Sequence, residues 1–208
     1  MEDVLEVYTR PSDPRFPQVC FDEVSTQVLR ETRPPLPALP GQSRRQDAEY
    51  LRAGVRNGLL VGEPLAGWRH VTLTERRTTV DLAHQIKNLV DVHYPQAERI
   101  VLVLDNLNTH TPASRYTTFP PDEAKRLTDK LEIHYTPKHG SWLNMAEIEL
   151  SVLSRQCLDR RLPDRVELTD VVAAWEADRI QPDARIDWRF TTTDAHIKLK
   201  RLYPSLQE

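Results

Sequence analysis

One segment, Arg99-Ile-Val-Leu-Val-Leu-Asp105, constrains this chain more than any other. Its apolar run is too short for a globular helix and lacks the alternation of a strand with one wet face. Such a run belongs in a central strand covered on both sides, which implies an α/β protein with parallel strands at its centre. The run ends on Asp105, and an ionised carboxylate is almost never fully buried without a partner. The strand therefore surfaces there. In open α/β sheets, ligands bind outside the carboxyl ends of the strands. Asp105 is thus a candidate for chemistry, and its rival role is to start a turn with Asn106.

The flanking text supplies the other elements of such a sheet. Residues 18–23, Gln-Val-Cys-Phe-Asp-Glu, read as a short buried strand ending in Asp22 and Glu23. From Tyr50 to Arg76 the chain is strand-like. Leu59-Leu-Val61 is apolar, residues 68–75 alternate, and the turn signals Arg56-Asn57-Gly58 and Gly62-Glu63-Pro64 separate the pieces. Thr78 or Thr79 can cap a helix running to about Tyr94, and Pro120-Pro121 opens another to about Leu131. A strand follows over 131–136, then a helix from Ser141 or Asn144 to about Leu158, and further helices over 168–180 and 193–202. The order β-β-β-α-β-α-β-α, with flanking helices, is compatible with a ribonuclease H-like fold and its mixed central sheet. Three prolines, Pro11, Pro14 and Pro17, make residues 1–14 an N-terminal arm. The proline-rich stretch 31–46 reads as a stiff exposed connector. Residues 15–165 are expected to form the catalytic domain, and 166–208 a C-terminal helical extension packed on it.

Composition excludes several classes. At 208 residues, 39% hydrophobic and 28% charged, the chain can bury a core of its own. No stretch is apolar enough for a membrane span and no signal peptide opens the sequence. Two cysteines form no disulfide framework, which suits a reducing, cytoplasmic setting. A net charge of -3 means that any nucleic-acid surface must be local. The glycines spell no dinucleotide fingerprint. Gly62 to Gly67 has phosphate-loop spacing, but Trp68 and Arg69 stand where Lys and Ser/Thr are needed. No serine sits in a nucleophile elbow. His110, His134 and His139 lack cysteine partners, and hydrogen-bonded or exposed histidines are the simpler reading of them than zinc ligands.

What remains is acids at element ends. If the strands ending in Asp22 and Asp105 are parallel neighbours, both carboxylates emerge at one sheet edge. Glu147 lies in the first turn or so of the helix after the fifth strand, which would start at the same edge. Three carboxylates in one cleft raise one another's pKa, and divalent cations remove that penalty. Hard oxygen ligands with open positions suit Mg²⁺ or Mn²⁺, and a pair of such ions serves phosphodiester chemistry. Taken singly, Asp22 could instead pair with an arginine, and Glu147 could simply favour a helix start.

These segments resemble a known family. Cys20-Phe-Asp22-Glu23, then Val103-Leu-Asp105-Asn-Leu-Asn-Thr-His110, then Thr136-Pro-Lys-His-Gly-Ser-Trp-Leu-Asn-Met-Ala-Glu147 are similar to the Asp-Asp-Glu signature of bacterial insertion-sequence transposases in the mariner superfamily. Glu63-Pro-Leu-Ala-Gly-Trp-Arg-His70 and Leu150-Ser-Val-Leu-Ser-Arg-Gln-Cys157 extend the likeness over roughly residues 15–203. The resemblance implies a ribonuclease H-like core that cuts and joins DNA with Mg²⁺ or Mn²⁺ and inserts at short AT-rich targets. Its partners would be transposon ends and target DNA, within a homodimeric DNA complex. Asp22, Asp105 and Glu147 become the metal ligands, with intervals of 83 and 42 positions. Glu23 would face the opposite side of the sheet, and Glu149 lies about 200° around the helix from Glu147. Asn106, His110, Lys138, His139 and Asn144 would touch phosphates or orient water. Family members carry an N-terminal helix-turn-helix region. The residues before Asp22 hold no helix pair, so the chain reads as the catalytic part of a transposase. Trp142 is expected to be at least partly buried and to help fix the start of the Glu147 helix, and its rival role is base stacking. A nuclease of the same fold without strand transfer, or a non-catalytic DNA-binding remnant, are the alternative functions.

Overall fold

The structure, a computed structural model, describes residues 1–105, 113–180 and 184–203. Its centre is a five-stranded sheet of order β3-β2-β1-β4-β5. The strands are β1 (Gln18–Glu31), β2 (Tyr50–Glu63), β3 (Trp68–Thr74), β4 (Ile100–Leu104) and β5 (Leu131–Tyr135). The first three form an antiparallel meander, and β4 and β5 run parallel to β1. This mixed sheet, covered by helices on both faces, is the ribonuclease H-like fold.

Period-two alternation divides the core. Val19 and Phe21 of β1, Leu59 and Val61 of β2, and Ile100, Leu102 and Leu104 of β4 point to one face. There they meet helices α2 (Thr79–Asn88) and α4 (Pro121–Asp129) through Leu82, Ile86 and Leu127. Cys20, Leu60, Val71, Val101 and Val103 point to the other face. That face is covered by helices α1 (Glu2–Thr9), α5 (Ala146–Leu153) and α6 (Arg165–Ile180). All five residues of β4 are buried, as its unbroken apolar run requires. A short helix α3 (Ala113–Thr118) precedes α4, and α7 (Thr192–Lys198) packs beside α1. Thr78 caps α2 in a reciprocal box with Asp81, and Thr191 caps α7 with Asp194.

Three elements depart from the sequence expectation. Residues 2–9, expected as an arm, form α1, whose Val4, Leu5, Val7 and Tyr8 are buried against the sheet. Their spacing is that of a helical stripe, and the prolines that suggested an arm lie beyond its end. Strand β1 runs on past Glu23 to Glu31 and pairs with β2 as far as Tyr50, so a long ribbon projects beyond the end of β4. The third departure is Asn57-Gly58, which is not a turn but the interior of β2. Asn57 faces Ser25 and accepts its hydroxyl hydrogen at 2.7 Å. At Gly58 an added Cβ would stand 3.3 Å from both Val24 and Val71, so the glycine lets two strands' valines close over it. Among the described residues no helix is long and apolar enough to cross a membrane.

Candidate active site

The last paired residues of β1 and β4 are Cys20 and Val103. Asp22 and Asp105 each follow by two positions, so they share the register and the face of the sheet that α5 covers. Helix α5 starts over that face, with Glu147 in its first turn. Asp22 is buried and its carboxyl is pushed up to about 7. Burial is the main cause, and the charges of Glu147, Asp105 and Glu23 add to it. A hydrogen bond of 2.8 Å from the Glu23 amide to Oδ1 opposes the shift. The field of both other acids is thus felt at Asp22.

Two neighbouring acids are spent on structure. Glu23 turns to the opposite face, where Oε1 lies 3.0 Å from Arg77. Glu149 is buried and gripped from two sides, at 3.2 Å from Arg69 Nε and 2.9 Å from Arg179 Nη2. Arg69 itself donates to the carbonyls of Arg179 and Ala184, both at 2.7 Å. This network ties β3, α5 and α6 together.

Asn144 is 0% exposed and joins the helix start to β1. Its Nδ2 donates to the Phe21 carbonyl at 2.7 Å and to Asp22 Oδ2 at 3.3 Å, while Oδ1 accepts from the Ala146 amide at 3.2 Å. It was expected to touch phosphates or orient water, and here its enclosed amide is turned to Asp22. Sequence reasoning missed Tyr8 altogether. The Tyr8 hydroxyl donates to the Leu143 carbonyl at 2.7 Å and accepts from the Met145 amide at 3.4 Å. It also sits 3.7 Å from Cys20 Sγ, whose thiol burial pushes up to about 12. The spacing of Val4, Leu5, Val7 and Tyr8 was the signal that could have found it.

Lys138 and His139 are exposed on the turn between β5 and α5. His139 has φ 65°, a left-handed conformation unusual for a side-chain-bearing residue. Beside it, a Cβ on Gly140 would stand 2.6 Å from Pro137, so only glycine fits the turn. Trp142 is 46% exposed and meets Phe190 edge-on with centroids 5.7 Å apart. The short turn Ser141–Leu143 sends Leu143 inward and Trp142 outward, so the helix start is fixed by Leu143 and Asn144. His134 is held by Asp3 and Glu132, at 2.8 and 2.9 Å. Asn106 and His110 lie outside the described residues. Among the described residues no three His, Cys, Asp or Glu groups stand at metal-holding separation. Asp22, Asp105 and Glu147 are each hard oxygen donors, the type that Mg²⁺ and Mn²⁺ prefer.

Fold and site together define a class: ribonuclease H-like α/β proteins with carboxylates at the carboxyl ends of the two central parallel strands. The chain belongs to the DDE superfamily endonucleases, whose family model matches residues 17–169. No curated protein matches it in sequence. Among solved structures it is similar to a Mos1 mariner paired-end complex with Mn, at TM-score 0.54 and 16% identity over 89% of this chain. It is also similar to a pre-cleavage Mos1 transpososome, at TM-score 0.56 and 14% identity, and to a Mos1 strand transfer complex, at 0.54 and 16%, each over 89% of this chain. The chain spans 60%, 60% and 59% of the length of those three chains.

Proposed function

We propose that this chain is the catalytic domain of a DNA transposase that cleaves a DNA strand and transfers the freed 3′-hydroxyl to target DNA. Asp22, Asp105 and Glu147 would hold a pair of Mg²⁺ or Mn²⁺ ions. When bound, such ions supply the charge that activates the attacking oxygen and stabilises the leaving one. The donor set fits them, because a buried Asp22 raised by two neighbouring carboxylates is relieved by cationic charge. The charges of Glu147 and Asp105 acting on buried Asp22, from two other parts of the fold, are the observation that carries the reading. Asn144 and Tyr8 act as positioning residues that set Asp22 against the start of α5. Lys138 and His139, on the adjoining turn, are suited to the DNA backbone, and Asn106 and His110 are assigned to it by family resemblance. DNA ends, target DNA and a second copy of the chain are the partners this activity needs.

The test is a plasmid assay with Mg²⁺ or Mn²⁺ and labelled donor DNA. Nicked and joined products from the wild type, and neither from Asp105→Asn or Glu147→Gln with the fold intact, are expected. Cutting without joining would make the chain a nuclease of the same fold. Equal cutting by the wild type and both variants would remove these acids from the site.

A further inference from the structure

Beyond Asp22, β1 leaves β4 behind, and its free edge pairs with no strand among the described residues. A groove of about 660 Å³ opens between this edge and the turn that follows α5. Ser25 and Thr26 line one wall, and Ser154, Arg155, Asp159 and Arg160 the other. Its far end is closed where the Leu29 amide donates to the Leu162 carbonyl at 2.9 Å. The three acids do not line the groove, but its walls follow Asp22 and Glu147 closely along the chain. Ser25 is three residues from Asp22, and Ser154 is seven residues from Glu147. Seven residues are two helical turns, about 10 Å along one face of the helix, or about three base steps of a DNA strand.

The charges in this groove are not consumed internally. Among the described residues Arg155 bonds only the Ser151 carbonyl, at 3.1 Å, and neither it nor Arg160 has a carboxylate within 4.0 Å. By contrast, Arg161 is committed to Glu31 at 2.6 Å, and Arg179 to Glu149. In a chain of net charge -3, two uncompensated guanidiniums beside the hydroxyls of Thr26 and Ser154 need a reason. Guanidinium forks and hydroxyl donors are the groups that grip phosphate oxygens without reading bases. Asp159 also lines the groove, and a phosphate would seat away from its carboxylate.

We propose that this groove binds the DNA sugar-phosphate backbone about three nucleotides from the scissile bond, with Arg155 and Arg160 as its phosphate ligands. The proposal rests on the reading of the chain as a DNA-processing enzyme. It predicts a sequence-independent, salt-sensitive contribution, because each neutralised phosphate releases counterions.

The experiment is a salt titration of the full chain on a fluorescent 30-base-pair duplex, read by anisotropy. Four proteins are compared: wild type, Arg155→Gln/Arg160→Gln, Arg155→Lys/Arg160→Lys, and Arg99→Gln. Arg99 is exposed at the opposite end of the sheet. The glutamine pair should lower the slope of log affinity against log salt by about two, and weaken binding about tenfold per arginine at low salt. The lysine pair should keep the wild-type slope, and Arg99→Gln should change nothing. Wild-type slope in the glutamine pair overturns the groove and leaves the DNA enzyme standing. No binding by the wild type at low salt overturns both.

Discussion

Asp22 has an unfavourable environment that the proposed function would explain. An unfolded aspartate titrates near its ordinary value of about 3.9, whereas burial and its acidic neighbours push the folded one up to about 7. Between those values the folded protein holds a proton that the unfolded chain has released. Metal-free stability therefore falls as pH rises from about 4 to about 7, and is level above that. Asp22→Asn removes the penalty. In EDTA at pH 8 it should be more stable than wild type, by on the order of 2–4 kcal/mol, with the advantage gone at pH 4. Denaturant melts at both pH values check this, and equal midpoints at pH 8 would contradict it. A second contrast lies in adjacent residues. Leu143→Ala should cost about 2–5 kcal/mol as a core truncation, but Trp142→Ala only about 1 kcal/mol or less, the worth of one aromatic edge contact. Thermal melts of the two variants separate them. Asp105 and Asp22 were legible as strand-end acids because a charge that closes an apolar run marks the point where a buried strand reaches water. Tyr8 was not, since its role depends on a carbonyl 135 positions away.

Elements were legible where one physical signal dominated. Strand β4 declared itself by continuous apolarity, and α4 by Pro121 at its first turn. The outer half of β1 and β2 was hidden, because Asn57-Gly58 has turn chemistry and only its tertiary neighbours Ser25, Val24 and Val71 make it strand. Helix α5 is the element on which the site turns, and its sequence alone offered Glu147 and Glu149 as rivals. Arg69 and Arg179 reach Glu149 from β3 and α6 and engage it in structure. Removing one partner of a buried ion pair strands the others. Glu149→Ala should therefore destabilise by about 3–5 kcal/mol. It should also lower cleavage by the folded fraction, since α5 loses the grip that aims Glu147. Unfolding midpoints together with activity normalised to folded protein test both halves. Unchanged stability would show that the triad carries no weight.

At the scale of the molecule, the proposed site makes the fold a receiver for positive charge. Mn²⁺ at a hundredfold excess over its dissociation constant should raise stability by about 2.7 kcal/mol. The gain should vanish in Asp105→Asn, as thermal melts with and without EDTA would register. The general topology was readable from the order of elements. The assembly of the edge was not, because it depends on contacts far apart along the chain. Helix α1 is the clearest case: Tyr8 meets Leu143 and Met145, and Asp3 meets His134. During synthesis α1 leaves the ribosome well before α5 and β5, the partners of these contacts. Closing such long loops is entropically costly and slows folding. On the proposed function, the edge that would cut DNA is consequently completed late, and a half-made chain would be an unarmed one.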